Sequence, residues 1–190
     1  ISKHNDPTII NRIIKMHPHI FLKNYEKSMY VDSHIRLKKC MSDFIEDSLL
    51  NANWLSPPHR WGGDTYIETF RCYENDKIDK NEFDEFFNKI KVLNISPEIP
   101  FPENGIILRN HLDECVQKMC EQWWQFFKDG PYRDQLHWQQ AFIKTAPKFK
   151  YLSYRFTDNN PHFALGKHKG WFFIVIKKKI IKIIKKIYTK

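Results

Sequence analysis

The sequence predicts an α/β domain in which helices cover a sheet. Short apolar runs typical of buried strands, such as "KSMYVD" at 27–32, alternate with longer segments whose apolar residues recur at helical spacing. Apolar residues make up 42% of the 190-residue chain and aromatic residues 15%. This composition supports a packed core and excludes a disordered polypeptide. Strands that alternate with helices are typical of a layered α/β domain.

The first half of the chain contains three predicted helical segments and a loop. The segment "NRIIKMHPHIFL" (11–22) is interpreted as the end of a helix followed by a turn at Pro18. Residues 36–50 carry apolar side chains at helical spacing and predict an amphipathic helix. The segment "NWLSPPHRWGGD" (53–64) is rich in Pro and Gly and predicts a loop. Residues 76–93 predict a charged helix whose apolar face carries Phe83, Phe86, Phe87 and Ile90.

The second half begins with "PFPENGIILRN" (100–110), which predicts a loop and then a short strand over residues 106–108. Residues 112–127 predict a strong helix, "KDGPYRDQ" (128–135) predicts a turn, and another helix is expected to begin near Asp134. The inward face of the 112–127 helix is predicted to carry Val116, Met119, Cys120, Trp123 and Phe127.

The positive charge of the chain is concentrated in its last residues. The net charge is +9, and residues 177–190 contain seven lysines and no acidic residue. The rest of the chain is therefore near neutral, which argues against nucleic acid as a partner, because such proteins cluster Lys and Arg on the folded surface. The four cysteines form no CxxC pair, so we expect reduced thiols and a cytoplasmic location.

The segment "WFFIVIKKKIIKIIKKIYTK" (171–190) forms a tail that differs from the domain predicted over residues 1–170. Its isoleucines recur at helical spacing and lysines fill most other positions, which predicts a C-terminal basic amphipathic helix. Such a helix suits an anionic membrane surface, so residues 176–190 would hold the protein peripherally on the inner face of the membrane. A helix docked on the domain, or a simple bias toward Lys and Ile, would produce the same pattern.

Asp32 directly follows a predicted strand, and His34 comes two residues later. Ligands of open α/β sheets bind beyond the carboxyl ends of the strands. Carboxylate oxygens bind Mg²⁺ and Mn²⁺, and Mn²⁺ also accepts imidazole. Asp32 and His34 are therefore candidate metal ligands. An aspartate at a strand end also serves as a turn or cap residue, so the pattern alone leaves both functions open.

Two other segments carry candidate substrate-binding residues. Arg12 and Lys15 are three residues apart and share one helical face, where they suit a diphosphate, although a solvated basic face has the same pattern. Gly105 lets the backbone approach a ligand closely, and Asn104 offers an amide for hydrogen bonding. An ordinary loop before a strand would explain these two residues equally well.

The segment "YRDQLHWQQ" (132–140) places three polar residues at a helix start. The functional interpretation assigns Asp134 and Gln135 to the hydroxyl groups of a sugar, with Arg133 beside them. Asp134 is also a natural helix cap. Trp124 would supply a flat surface for a sugar ring, against the alternative that it only packs in the core.

The segment "NNPHFALGKHKGW" (159–171) is a polar, cationic stretch next to aromatic residues. It would bring Lys169 over a phosphate, and His162 would complete a metal shell. The alternative is a linker that leads into the basic tail.

The order of these motifs resembles GT-A glycosyltransferases, in particular the glycosyltransferase-like domains of polysaccharide and capsule biosynthesis and of plant cell-wall hexosyltransferases. The resemblance covers residues 9–145 and is most specific in "YVD" (30–32) and "WW…RDQL" (123–136). Family-eight glycosyltransferases show a related order, and "HFALGKHKGW" (162–171) is similar to their HxxGxxKPW loop, with one extra residue. Other positions that match the first group are Lys15, Pro18, His19, Tyr25, Ser28, His59, Arg60, Tyr66, Glu68, Pro102, Gly105 and Arg109.

The resemblance implies a GT-A-like mixed sheet flanked by helices, and the transfer of a hexose from a nucleotide-sugar donor to a glycan or polysaccharide acceptor. It implies Mn²⁺ or Mg²⁺ at Asp32, His34 and His162, with His34 where a second carboxylate is usual. It also implies that Asp134 and Gln135 are catalytic. The implied substrate-binding residues are Arg12, Lys15, Asn104, Gly105, Arg133, Trp124 and Lys169.

Two functions of other classes stay open. One is a non-catalytic carbohydrate- or membrane-binding module derived from such a domain, and the other is a metal-dependent hydrolase built on Asp32 and histidines. GT-A domains place their first nucleotide-binding strands before the acidic motif, and only 31 residues precede Asp32. The expectation is therefore a domain that lacks those strands, by truncation or by degeneration.

Overall fold

The computed structural model describes residues 6–93, 95–155 and 157–166, and these ranges form a mixed α/β fold. The described helices are α1 (Pro7–Met16), α2 (Pro18–Phe21), α3 (Ser42–Ser48), α4 (Thr65–Glu74), α5 (Lys80–Ile90), α6 (Glu114–Lys128) and α7 (Asp134–Thr145). The described strands are β1 (Lys27–Val31), β2 (Ile35–Leu37), β3 (Trp54–Ser56), β4 (Ile106–Asn110), β5 (Phe149–Tyr151) and β6 (Phe163–Leu165). The predicted α/β class is confirmed.

The central sheet has four strands in the order β1–β4–β3–β5. Strand β4 is antiparallel to both of its neighbours, whereas β3 and β5 are parallel. Side chains alternate between the two faces of a strand, so Ile107 joins one hydrophobic cluster while Ile106 and Leu108 join another. Both faces of β4 are therefore covered, which explains the continuous apolar run in "IIL". A separate two-stranded sheet pairs β2 with β6.

Helices α6 and α7 cover one face of the central sheet. The helical spacing in residues 112–127 predicted which side chains face inward, and the prediction is confirmed, because all five are at most 1% exposed. They pack around Trp54 of β3, whose ring centroid lies 6.0 Å from that of Trp123 and 6.2 Å from that of Trp138. Helix α5 is also confirmed, and it begins at Lys80 behind a capping box formed by Asp79 and Glu82.

Two predictions of secondary structure were wrong because strand pairing outweighed the local pattern. The helix predicted over residues 36–50 is limited to α3, because Ile35–Leu37 instead pairs with β6, more than 120 residues away in the chain. The loop predicted over residues 53–64 contains β3, which is buried between β4 and β5. Local propensity is a weak guide where a buried sheet offers backbone partners.

Three smaller differences between the predictions and the structure concern Pro18, the stretch 159–171 and helix α4. Pro18 begins the short helix α2 rather than a turn, since proline is well tolerated at the first helical position. The stretch 159–171, expected to be a loop or linker, includes the edge strand β6. Helix α4, which the sequence did not reveal, begins at Thr65 and is capped by Asp64, whose side chain accepts a hydrogen bond from the backbone N–H of Ile67.

The predicted tail helix at 171–190 lies outside the described residues, and so does Lys169. Its interaction with a membrane surface therefore stays a prediction. Within the ranges that are described, no helix has both the length and the apolar character that crossing a membrane requires.

The pairing of the central sheet gathers several loops at one end. Because β4 is antiparallel to β1 and to β3, its start lies beside the ends of both neighbours. A bridge between Pro58 and Pro102 extends this pairing beyond the strands. The loop after β1, the loop after β3 and the loop before β4 therefore meet, and the first residues of α7 reach the same place through Gln135, whose side-chain amide donates to the carbonyl oxygen of Pro102 at 2.7 Å.

The turn between α6 and α7 leaves no room for a side chain at Gly130. A Cβ atom there would lie 2.6 Å from Cε1 of His137. Nε2 of this buried ring donates to the carbonyl oxygen of Pro131 at 2.9 Å, and the ring packs edge-on against Phe86. We expect Gly130→Ala to lower the free energy of unfolding by about 1–3 kcal/mol, as measured by urea denaturation.

The control for this prediction uses the same substitution without the obstructing ring. In a His137→Ala background, Gly130→Ala should cost much less, because the clashing imidazole is gone. An equal cost in both backgrounds would show that the contact with His137 is not the cause.

Candidate functional site

A cleft with a volume of about 580 Å³ opens where these loops meet. Its walls come from α1, from the loops after β1 and β3, from the loop before β4, from the start of α7 and from the end of β6. The lining is dominated by charged side chains, which suits a polar, charged ligand. Eight residues predicted from the sequence line it: Arg12, Lys15, Asp32, His34, Gly105, Arg133, Asp134 and Gln135.

One wall of the cleft is an ion-paired cluster between α1 and α7. Nζ of Lys15 donates to Oδ2 of Asp134 at 2.5 Å, and Nη2 of Arg12 lies 3.1 Å from Oδ1 of the same carboxylate. Lys15 is only 2% exposed, and a buried charge of this kind requires such a partner. Trp123 supports the cluster, because its indole N–H donates to the backbone carbonyl of Asp134 at 2.8 Å.

The charges of this cluster determine the protonation of Asp134. Burial by itself would raise its pKa, but the nearby charges of Lys15 and Arg12 lower the pKa to about 2. Burial lowers the pKa of Lys15, and the carboxylates of Asp134 and Asp32 oppose that shift. Asp134 is therefore ionised at neutral pH, with both oxygens engaged by cations. This geometry favours a positioning role, in which Asp134 holds Lys15 and Arg12, over transfer of a proton.

Asp32 stands at the end of β1 and is held from two sides. Its backbone N–H donates to the carbonyl oxygen of Gly105 at 2.8 Å. The hydroxyl of Tyr30 lies 2.8 Å from Oδ1 of Asp32 and also 2.8 Å from Oδ1 of Asn11. Burial, together with the charge of Asp32, raises the pKa of Tyr30, so this hydroxyl keeps its proton and can donate it to the carboxylate. Tyr30 therefore orients Asp32 at the wall of the cleft.

The residues predicted to bind a metal are only partly brought together. His34 lines the cleft with Asp32, and its backbone carbonyl accepts a hydrogen bond from the N–H of Gly166 at 2.6 Å. His162 is not among the cleft-lining residues, because its ring stacks on Phe44 with centroids 4.1 Å apart. In the described part of the chain, no group of three or more His, Cys, Asp and Glu side chains is placed to hold a metal ion.

This donor set fits one kind of metal site. Mg²⁺ is commonly held by one or two protein carboxylates together with substrate phosphates and water, and Mn²⁺ also accepts imidazole. Asp32 and His34 therefore fit a metal ion that a bound diphosphate shares. They do not form the three-residue shell that was predicted with His162.

A second charged cluster lines the cleft. It consists of His59, Arg60, Glu68 and Glu103. Arg60 forms a two-pronged ion pair with Glu103, with Nε 2.9 Å from Oε2 and Nη2 3.0 Å from Oε1. Burial would raise the pKa of Glu103, but Arg60 lowers it. Nε2 of His59 lies 3.8 Å from Oε2 of Glu68 and 3.9 Å from Oε2 of Glu103. The buried imidazole thus stands between two carboxylates.

Gln135 and Asn104 connect the start of α7 to the loop before β4. Oε1 of Gln135 accepts a hydrogen bond from the backbone N–H of Asn104 at 3.3 Å, so Gln135 both lines the cleft and braces this loop. The Asn104 side chain is buried, and neither its Nδ2 nor its Oδ1 atom has a hydrogen-bond partner among the described residues. Asn104, which was predicted to bind the substrate, is not one of the cleft-lining residues.

Trp124 is not placed to stack on a sugar in the cleft. Its ring packs edge-on against His17 at 5.3 Å and is stacked with Phe127 at 5.6 Å, which agrees with the alternative of core packing. The aromatic side chain that does line the cleft is Trp61, which is 64% exposed. It lies in a Pro- and Gly-rich loop, and no helical or strand periodicity identifies it.

Other cleft residues received no role from the sequence, namely His59, Arg60, Glu68 and Lys77. The sequence could have indicated His59, Arg60 and Glu68, since they are among the positions that match the glycosyltransferase-like domains. Only the three-dimensional arrangement of β3, β4 and α4 shows that these residues lie in one cleft. Comparison with protein-family models, with curated proteins and with solved structures finds no match to this chain.

Proposed function

We propose that this protein is a glycosyltransferase that moves a hexose from a nucleotide-sugar to a glycan or polysaccharide acceptor. The observation that carries the proposal is the grouping of Arg12, Lys15 and Asp32 in one cleft at the end of the central sheet. Fixed cations beside a carboxylate suit a diphosphate, either directly or through a shared metal ion. The order of the sequence motifs supports the same class, and a GT-A-like arrangement of the sheet is part of the proposal.

The cations of the cleft would stabilise the leaving group. When the bond between the sugar and the diphosphate breaks, negative charge develops on the phosphate oxygen. Lys15 and Arg12 are already held by Asp134, so they need little rearrangement to oppose this charge. Lys77 and Arg133 line the same cleft and add positive potential.

Asp32 and His34 would hold Mn²⁺ or Mg²⁺ in this proposal. The metal, when bound, supplies a Lewis acid that neutralises the diphosphate. Tyr30 keeps the Asp32 carboxylate oriented for that purpose. Gln135 presents its side chain at the cleft between the loop before β4 and α7, where it would orient sugar hydroxyls. Residues 176–190 would place the enzyme on an anionic membrane surface inside the cell.

Binding of UDP tests the proposal without knowledge of the sugar or the acceptor. Titration of the full chain with UDP and Mn²⁺ in a calorimeter should show binding at one site. Arg12→Gln should weaken that binding by about 10- to 100-fold, because a charge-assisted hydrogen bond contributes about 1.5–3 kcal/mol. Arg155→Gln, which changes an exposed arginine outside the cleft, should leave the affinity unchanged.

Two results would contradict the proposal. A full chain that binds neither UDP nor UDP-sugars, with and without Mn²⁺, would reject a nucleotide-sugar donor. Binding of UDP that is weakened equally by Arg12→Gln and Arg155→Gln would place the donor outside this cleft.

A further inference from the structure

The charged cluster around His59 contains two carboxylates, Glu68 and Glu103, whose surroundings differ sharply. Both oxygens of Glu103 are occupied by Arg60, at 2.9 and 3.0 Å. Glu103 is therefore neutralised by a two-pronged ion pair. Glu68 has no comparable partner, so it is the chemically available carboxylate of this pair.

Glu68 is a buried carboxylate with an unpartnered oxygen that lines the cleft. The residue is 6% exposed, and Oε2 forms no hydrogen bond with any described residue. The nearest cationic atoms, Nη1 of Arg71 at 3.7 Å and Nε2 of His59 at 3.8 Å, are beyond hydrogen-bond distance. Among the described residues, the other oxygen receives only a weak bond, from Sγ of Cys72 at 3.8 Å. A buried polar atom without a partner is costly and requires an explanation.

The His59 ring is held beside this carboxylate by its own contacts. Its Nδ1 lies 3.1 Å from the carbonyl oxygen of Gly62, so Nδ1 carries the proton that it donates there. Gly62 adopts a positive φ of 61° in the tight turn that brings this carbonyl round. The imidazole also packs against Phe101 at 4.9 Å. The ring is therefore held by one hydrogen bond and by packing, with Nε2 3.8 Å from Oε2 of Glu68.

We propose that Glu68 is the base that accepts the proton of the attacking acceptor hydroxyl. The inference rests on the proposed function and extends it to the acceptor side of the cleft. The acceptor oxygen forms a bond to the anomeric carbon while the bond from that carbon to the diphosphate oxygen breaks. The leaving diphosphate takes the bonding electron pair, and the hydroxyl proton moves to Oε2 of Glu68.

The acceptor end of the cleft is bordered by an exposed flat side chain. Trp61 is held there by two guanidinium groups, with Arg60 5.4 Å and Arg71 5.5 Å from its ring. An indole fixed in this way offers an apolar face beside the polar groups of Glu68 and His59. This combination suits a sugar ring, which has both apolar faces and hydroxyl groups.

A direct displacement of this kind has a stereochemical consequence. The hydroxyl attacks from the side opposite the leaving diphosphate, so the configuration at the anomeric carbon is inverted. A base such as Glu68 serves this single step without a covalent sugar–enzyme intermediate.

The test compares Glu68→Gln with Glu74→Gln, which changes an exposed glutamate of the same helix. UDP affinity is measured by calorimetry, and UDP release is measured with UDP-glucose, UDP-galactose, UDP-xylose and UDP-N-acetylglucosamine, with water as the acceptor. Glu68→Gln should keep the UDP affinity within about twofold and reduce UDP release by about 10²–10⁴-fold. Glu74→Gln should match the unmodified protein, and thermal melting should show that both variants are folded.

The outcomes separate this inference from the proposed function. Failure of the unmodified protein to bind UDP rejects the proposed function itself. UDP binding with equal rates of release in Glu68→Gln and the unmodified protein overturns the role of Glu68 alone. Binding of UDP without release from any of the four donors, or release of a sugar with retained configuration, also overturns it.

Discussion

Asp134→Asn should lower the free energy of unfolding by about 3–5 kcal/mol at pH 7, because it leaves the buried charge of Lys15 without its partner. Lys15 is 2% exposed, and its Nζ lies 2.5 Å from Oδ2 of Asp134. Arg12 loses the same carboxylate, so two cations are left close together on α1. Urea denaturation followed by circular dichroism measures the change.

A double-mutant cycle shows whether the pair is the cause. Lys15→Met should cost less than Asp134→Asn, because Asp134 then still pairs with Arg12. The double variant Lys15→Met/Asp134→Asn removes both charges and should cost clearly less than the sum of the two single substitutions. Costs that simply add up in the double variant would mean that the two side chains are not coupled.

The same pair gives the protein a predictable response to acid. The pKa of Asp134 is about 2 in the folded protein, below its ordinary value of 3.8. The unfolded chain therefore takes up the proton first, and the contribution of Asp134 is complete above about pH 4 and is lost as the pH falls toward 2. Burial lowers the pKa of Lys15, so the cost of burying its charge offsets part of this gain at neutral pH.

Stability measurements at several pH values check this response. The difference in unfolding free energy between the unmodified protein and Asp134→Asn should be largest at pH 5–7 and should shrink between pH 4 and pH 2. A difference that stays constant over that interval would show that Asp134 is not an ionised partner of Lys15.

Asp32→Ala should reduce the release of UDP from a nucleotide-sugar by about 10²–10³-fold, which is typical of losing one preorganised charge-stabilising group. Asp32 is the carboxylate at the end of β1 that fits a metal shared with the diphosphate. Its removal should also abolish the response of the reaction to added Mn²⁺. The measurement is the rate of UDP release from UDP-sugars as a function of Mn²⁺ concentration.

Tyr30→Phe should reduce the rate of UDP release less than Asp32→Ala does. It removes the hydroxyl 2.8 Å from Oδ1 of Asp32 but leaves the carboxylate in place, so the rate should fall by only about tenfold. Asp47→Ala changes an exposed aspartate on α3 and should have no effect. Transfer that continues unchanged after Asp32→Ala would refute a metal role for Asp32.

Local periodicity predicted much of the fold. The inward face of α6, the apolar face of α5 and the strand that leads to Asp32 were all readable, since each depends on residues a few positions apart. The sequence did not predict β3, because this strand lies in a Pro- and Gly-rich stretch. It did not predict β2, because the residues around this strand fit a helical pattern. Both exist because partners far along the chain satisfy their backbone groups, which no local window contains.

The residues of the candidate site were likewise predicted only in part. Residue types and their order indicated Arg12, Lys15, Asp32, Asp134 and Gln135, and the structure places all of them in one cleft. His162 and Trp124 have suitable chemistry but are held elsewhere by stacking on Phe44 and Phe127. Side-chain chemistry shows what a residue is able to do, whereas packing determines which ligand it can reach.

The sequence by itself determined the α/β class, the core faces of the long helices and the polar residues available for a charged ligand. Only the tertiary structure decided that Lys15 meets Asp134, 119 residues away, and that one oxygen of Glu68 lies near His59 without a hydrogen bond from any described residue. Helical and strand patterns record neighbours within a few residues. Charge pairing in the cleft depends on how the sheet brings distant loops to one end, and that arrangement exists only in the folded chain.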